Sequence, residues 1–162
     1  KNTRAHSIRV AKIATDIGIE EGLNVRQLKT LCLAALLHDI GKADIDQKLL
    51  HAKRRLTKKE KEEIDKHASY GARKLGGERF KKVREIVRRH HDYQKGKKVE
   101  NVKRRKGSIP YLTEIVAAAD IFDALCSARS YKVPFSRRKV ARIMRVEFIG
   151  NKSLVRKVLR RY

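Results

Sequence analysis

Apolar residues recur every three or four positions along most of the chain, which is the spacing of an amphipathic helix. In the first such segment Val10, Ile13, Ala14 and Ile17 form one stripe, and His6 lies four residues before Val10 on the same face. No stretch shows the alternation of apolar and polar residues that a half-buried strand requires. The pattern therefore predicts an all-α protein, a single-domain helical bundle over residues 1–162.

Capping signals divide this pattern into elements. Asn24 is a candidate N-cap for a second helix over Val25–His38, and Thr57 with Glu60 forms a capping box that opens a third. We predict the third helix as one element that ends at Gly76-Gly77 and buries His67. The later elements are a fourth helix ending at His90 and His91, an exposed basic loop over 92–108, a fifth helix from Pro110, a sixth capped by Ser136, and a short basic terminal helix.

The charge balance is strongly basic. Lys and Arg number 42 against 18 Asp and Glu, which gives a formal net charge of +24. The positive electrostatic potential of such a chain attracts phosphate-bearing ligands or polyanions. Aromatic residues make up only 6% and are not interleaved with the basic runs, so a stacking platform for single-stranded nucleic acid is disfavoured.

Cys32 and Cys126 both fall in apolar helical runs, where they are predicted to be small core residues of a protein in a reducing, cytoplasmic compartment. Neither a signal peptide nor an apolar run of bilayer length is visible. The first residue is Lys1 rather than Met, so an attached sensor domain stays open, as does the oligomeric state.

The segment Leu31–Lys42 joins an apolar helix to chemistry-bearing residues. It ends in His38-Asp39, followed by Gly41 and Lys42. An imidazole beside a carboxylate supplies ligand types for a divalent metal, and a lysine after a glycine turn can reach a phosphate. The same residues also fit an ordinary helix C-terminus with Gly41 just beyond the last turn.

Histidines provide the stronger signal. Separately buried imidazoles would each need a partner, whereas a metal site shared between helices satisfies them together. Adjacent residues on a helix point about 100° apart, so we expect His90 and His91 to serve two neighbouring ions. Imidazoles with carboxylates suit Fe, Mn, Zn, Co or Ni better than Mg or Ca. Five of the six histidines fall on the inward stripe or at the end of a predicted helix: His6, His38, His67, His90 and His91.

Through His6, His38-Asp39 and Asp120 the sequence resembles the HD superfamily of metal-dependent phosphohydrolases. It is most similar to the HD-GYP branch, whose members hydrolyse the bacterial messenger cyclic di-GMP. The resemblance spans nearly the whole chain in order. The matching pieces are His6–Val10, Ala35–Lys42, Leu56-Thr57 with Glu60, Ile64–His67 with Gly71-Ala72, His90-His91, Ile109-Pro110, Ala119–Leu125 and Ser127–Tyr131.

This resemblance implies a phosphodiesterase in which two metal ions activate a hydroxide for attack on a cyclic dinucleotide, most simply cyclic di-GMP. The implied ligands are His6, His38, Asp39, His67, His90, His91 and Asp120, with Asp39 bridging the ions. Lys42 would contact the scissile phosphate, Arg129 and Lys132 would bind phosphate oxygens, and Asp123 would either support a ligand or contact the substrate. The alternatives are an HD-type phosphohydrolase of another nucleotide and an inactive signalling module that binds metal and ligand.

Three positions depart from the branch. Members with three metals carry a Glu four residues before the first His, where this chain has Asn2, so two ions are predicted, with Fe or Mn favoured over Zn, Ni or Co. The Gly-Tyr-Pro loop is replaced by Asp92–Lys98, which bears on substrate and partner more than on metal chemistry. The usual Arg-Pro-Tyr reads Arg129-Ser130-Tyr131.

Overall fold

The computed structural model describes residues 3–97, 104–127 and 135–161. Over these residues the chain forms α-helices and no strand, so the all-α prediction is confirmed. Two short 3-10 helices, Ile40–Asp44 and Glu78–Phe80, connect them. The α-helices are α1 (Thr3–Glu20), α2 (Val25–Leu37), α3 (Gln47–Leu50), α4 (Lys58–Asp65), α5 (His67–Lys74), α6 (Lys81–Arg89), α7 (Ile109–Cys126), α8 (Arg137–Glu147) and α9 (Lys152–Leu159).

The predicted caps define two helix starts. Asn24 accepts a hydrogen bond from the Gln27 amide, and Gln27 bonds back to the Asn24 amide, which completes a capping box before α2. Thr57 and Glu60 form the same reciprocal pair before α4. These boxes supply partners for amides that the first helical turn leaves without one. Ser136 precedes α8 as predicted, although its side chain makes no capping hydrogen bond.

Helix α7 lies at the centre of the core. Its residues from Tyr111 to Ala119 are all buried, and it packs against α1, α6, α8 and α9. The one charged residue in this run is Glu114, whose carboxylate accepts hydrogen bonds from Arg104 and from the Asn151 amide, each at 2.7 Å. A helix that is apolar nearly all round must be surrounded by others, and this placement carries Asp120 into the interior.

The prediction of one helix from Thr57 to Leu75 is wrong, because the chain breaks into α4 and α5 at Lys66. At the break the His67 imidazole turns back and donates to the Ile64 carbonyl at 2.6 Å. The segment Ile40–Asp44 packs against α5 so closely that a Cβ on Gly41 would lie 2.0 Å from the His67 carbonyl oxygen. The break therefore accommodates both a ligand side chain and the turn after Asp39.

The predicted exposed loop over 92–108 is anchored at its start, within the described part of the chain. Tyr93 is buried and donates its hydroxyl to the Pro110 carbonyl at 3.1 Å. The Ile149 amide donates to the Tyr93 carbonyl at 2.9 Å, and Gln94 forms an isolated bridge with Phe148. Among the described helices, not one combines the length and apolar character of a bilayer-spanning segment.

Candidate metal centre

The seven predicted ligands converge from five helices. Two sets of ligand atoms each lie within 4.8 Å of one another. The carboxylate-side group consists of His6 in α1, His38 after α2 and Asp120 in α7. The imidazole-side group consists of His67 at the start of α5 and His90 and His91 after α6.

Asp39 lies between the two groups. Its Oδ1 is 3.2 Å from His67 Nε2 on the imidazole side. Its Oδ2 is 3.5 Å from His38 Nε2 and 3.8 Å from His6 Nε2 on the carboxylate side. One carboxylate thus presents a different oxygen to each group, which is the placement that the predicted bridging role requires.

His90 and His91 do not diverge toward separate groups as the sequence suggested. Helix α6 ends at Arg89, so both residues lie just beyond it. Their ring centroids are 3.9 Å apart, and both belong to the imidazole-side group. The expectation that the adjacent pair serves two sites assumed a continuing helix, and the helix end removes that assumption.

Three of the histidines have their tautomer fixed by the backbone. Each lies three residues after a carbonyl in the last turn of a helix, where carbonyls lack an intrahelical partner. Donation from Nδ1 to that carbonyl leaves the Nε2 lone pair facing the centre, as in histidines that bind metals. The pairs are His38 with Ala35 at 2.7 Å, His67 with Ile64 at 2.6 Å, and His90 with Val87 at 2.7 Å.

The Nε2 lone pairs of His67 and His90 face each other without a proton to share, and His91 Nε2 lies beside them. His67 Nε2 is 3.3 Å from His90 Nε2 and 3.2 Å from His91 Nε2. The buried Nε2 of His38 has no hydrogen-bond partner among the described residues. Nitrogens about 2.0–2.1 Å from one ion lie about 3.0–3.4 Å apart, so the spacing fits a cation held between them. The residues present therefore fit a divalent metal.

The ligand on α1 is supported differently. His6 Nδ1 is 2.7 Å from Asp123 Oδ2, and His6 Nε2 is 3.1 Å from Asp120 Oδ1. Asp123 is buried, and its carboxylate also accepts hydrogen bonds from Arg9 and Ser127. Both roles predicted for Asp123 stay predictions, because it lies behind His6 and also borders the large cavity.

The local charges shift several pKa values. Burial works against charge on His6, but hydrogen bonds to Asp120 and Asp123 outweigh it and raise the His6 pKa to about 9. Burial would raise the pKa of Asp39, yet His67 and the neighbouring positive charges hold it well below its usual range. Burial and the adjacent His91 depress the pKa of His90. Asp39 is thus held ionised and His90 neutral, the forms in which both donate to a metal.

The two groups differ in their access to solvent. A cavity of about 1160 Å³ opens onto His6, Asp39 and Asp120, whereas no member of the imidazole-side group lines it. Lys42 lies on the cavity wall with Nζ 2.5 Å from Asp39 Oδ2. The other lining residues are Thr3, Arg9, Ile40, Ala43, Gln47, Leu50, His51, Leu56, Ile64, Asp123, Ala124, Cys126 and Ser127.

The remaining predicted residues have mixed outcomes. His51, the sixth histidine, is exposed and borders the cavity. Cys126 is half-buried at the cavity wall rather than a full core residue, and burial raises its thiol pKa to about 11. Arg129, Lys132 and Asn2 lie outside the described residues, so their predicted roles stay predictions. Sequence reasoning gave no role to Arg9, although its position three residues after His6 placed both on one helix face.

Comparison with known proteins identifies the family. The family model of the HD domain matches residues 3–125. The chain belongs to the HD domain family. The resemblance found in the sequence is thus confirmed. HD domains are metal-dependent, and the structure contains histidine-aspartate groups that could bind a metal ion.

Individual relatives are cyclic dinucleotide phosphodiesterases. The chain is 33% identical over 148 residues to 3'3'-cGAMP-specific phosphodiesterase 1 of Vibrio cholerae, covering 90% of this chain and 34% of that protein. It is 34% identical over 133 residues to the cyclic di-GMP phosphodiesterase response regulator RpfG of Xanthomonas campestris, covering 80% and 35%. It is 35% identical over 136 residues to the cyclic di-GMP phosphodiesterase of Thermotoga maritima, covering 82% of this chain and 36% of that protein. The chain thus spans about a third of the length of these relatives.

Proposed function

We propose that this HD domain hydrolyses a phosphodiester bond of a cyclic dinucleotide, with cyclic di-GMP as the first substrate and 3'3'-cGAMP as the nearest variant. The observation that carries the proposal is the placement of Asp39 between two ligand groups at the wall of a large cavity. The named activities of the relatives support the substrate class. We further propose a cytoplasmic setting, in keeping with the two unpaired cysteines.

Seven residues would hold two ions. His6, His38 and Asp120 would bind one, His67, His90 and His91 the other, and Asp39 would contact both. Imidazoles with carboxylates suit Fe, Mn, Zn, Ni or Co better than Mg or Ca. From the family resemblance we propose Fe or Mn first. When bound, such a pair supplies Lewis acidity that activates water and offsets the charge developing on the phosphate.

The chain's own residues provide positioning and charge. The Lys42 ammonium lies at the cavity wall beside Asp39, where it can meet a phosphate oxygen and stabilise negative charge in the transition state. Leu50, Leu56 and Ile64 give the cavity apolar surface for purine faces. The formal net charge of +24 favours the approach of a dianionic substrate.

The cavity volume is consistent with this substrate class. Pockets for drug-sized ligands measure about 300–1,000 Å³, and this cavity of about 1160 Å³ is larger. A cyclic dinucleotide, with two bases and two phosphates, can be accommodated in this volume. A mononucleotide would leave much of the apolar wall uncovered.

The direct test is hydrolysis by protein of known metal content. Protein purified without oxygen is analysed for metals, loaded with Mn²⁺ or Fe²⁺, and incubated with cyclic di-GMP, 3'3'-cGAMP or cyclic di-AMP. We expect a linear dinucleotide or mononucleotides by chromatography, and no product after chelation. A chain that carries two ions and cleaves none of the three would contradict the proposal.

The replaced Gly-Tyr-Pro loop favours one second candidate, a signalling module that binds the messenger without cleaving it. The start of this replaced segment contacts the chain just after α8, where the Ile149 amide donates a hydrogen bond to the Tyr93 carbonyl. Equilibrium dialysis with labelled cyclic di-GMP separates the two. Retention of intact ligand by the metal-loaded chain supports the module, whereas turnover supports the enzyme.

A further inference from the structure

One predicted ligand is supported by another helix and not by its own backbone. His38, His67 and His90 follow helix ends, where free carbonyls accept their Nδ1 protons. His6 lies inside α1, where carbonyls serve the hydrogen bonds of the helix itself. Its Nδ1 instead meets Asp123 Oδ2 of α7 at 2.7 Å.

Asp123 is in turn held in one orientation. Arg9 Nε donates to its Oδ1 at 2.7 Å and Arg9 Nη2 to its Oδ2 at 3.0 Å. Ser127 Oγ is 3.0 Å from the same Oδ2 and accepts from Arg9 Nη2 at 2.8 Å. Two parallel bonds from a planar guanidinium fix the plane of a carboxylate as a single point charge cannot.

The spacing along α1 makes this arrangement possible. Arg9 lies three residues after His6, so both side chains project from the same face of the helix toward α7. The Asp123 carboxylate lies between them and is buried, which requires that it be paired. The guanidinium is thus the outer member of a chain of contacts that runs from Arg9 through Asp123 to His6.

We propose that Arg9 is a positioning residue for the carboxylate-side group. By fixing Asp123, it keeps the His6 Nδ1–H paired and holds the imidazole in the orientation that turns Nε2 toward Asp120 and Asp39. This inference rests on the metal centre of the proposed function and deepens it. The histidines are therefore supported unequally, because a side-chain substitution can loosen His6 but cannot remove the carbonyls behind His38, His67 and His90.

The expected effect is confined to one ion. Loss of a group that orients a metal-binding histidine typically costs 10–100-fold in metal affinity. In Arg9→Gln we therefore expect one of two Mn²⁺ binding steps to weaken by roughly 10–100-fold, while the other stays within about twofold. Calorimetric titration of chelator-treated protein with Mn²⁺, checked by metal analysis after dialysis, measures both steps.

Arg88→Gln is the matched control. Arg88 also makes a two-point contact with a carboxylate, Glu85, at 2.8 and 3.2 Å, and its side chain is 56% exposed against 47% for Arg9. That pair touches neither ligand group in the described part of the chain. Its loss should leave both Mn²⁺ steps unchanged, which separates the proposed role from the general loss of a surface ion pair.

Two further results decide the inference. Arg9→Lys retains the charge but not the planar two-point contact, so an intermediate weakening supports positioning and full wild-type affinity overturns it. Folding is verified by circular dichroism and by the unchanged second step. If wild-type protein binds two ions and Arg9→Gln binds both equally well, the positioning role is wrong while the metal centre stands. If wild-type protein binds no metal, the proposed function itself fails.

Discussion

The carboxylate-side group borders the cavity, whereas the imidazole-side group lies behind it. The side chains of His6 and Asp120 are 19% and 14% exposed, whereas that of His67 is 2% exposed. His90 on the imidazole side and His38 on the carboxylate side are fully buried, and His91 is half-buried. The first group draws on α1, α2 and α7, which are far apart in sequence, and His6 depends on Asp123 for its orientation. The second group takes two of its three residues from consecutive positions after α6.

This difference in burial and support suggests that the two groups have different roles. The open group carries a carboxylate of its own and faces the place where a substrate would bind, so it is suited to contact a phosphate. In the other group His67 and His90 are buried and held by backbone carbonyls, which suits a permanently retained ion. Asp39 lies against both groups, so a substitution there should affect both ion sites at once.

Asp39→Asn should have the largest effect. The amide removes a negative charge from both groups at once, so we expect weaker binding of both ions and a loss of hydrolysis of about 10³-fold. Metal analysis and a product assay at saturating substrate measure these effects. Asp44→Asn is the control, because Asp44 is exposed and pairs only with Lys74, at 2.9 Å, among the described residues. Wild-type metal content in Asp39→Asn would rule out a shared ligand.

Lys42→Gln should have an intermediate effect that falls on catalysis rather than on metal. Removing the ammonium beside Asp39 should lower kcat by about 10²-fold while both ions are retained. Steady-state kinetics with parallel metal analysis makes the distinction, and Lys48→Gln at an exposed site provides the control. Loss of metal together with activity would show that Lys42 acts by stabilising Asp39 and not on the phosphate.

The smallest expected effect is a difference between the rates at which a chelator removes the two ions. From protein loaded with two Co²⁺ ions, we expect release in two phases, with the imidazole-side ion roughly tenfold slower because its exit needs a local opening of helix ends. Absorbance of a chelating dye follows both phases. Asp120→Asn should abolish the fast phase and His91→Ala the slow one. A single phase in wild-type protein would mean that the two groups do not differ in access.

Many features of this protein depend on interactions between residues close in sequence, and for that reason they can be predicted from the sequence. The apolar stripe on α1 and the capping boxes before α2 and α4 depend on contacts within a few residues. The same holds for the histidines at helix ends, since each finds its carbonyl three residues away. Residue type and position along the chain, together with the family resemblance that they carry, were therefore enough to name the set of candidate ligands.

The tertiary structure alone decided how those ligands are divided and supported. The two groups, the position of Asp39 between them, and the Arg9–Asp123–His6 contacts across 114 and 117 positions depend on how α1, α2, α5, α6 and α7 pack. The same packing accompanies the break between α4 and α5 at Lys66. It also brings both His90 and His91 to the group that contains His67. Periodicity specifies which face of a helix is buried, but only the packing of helices against one another specifies what that face meets.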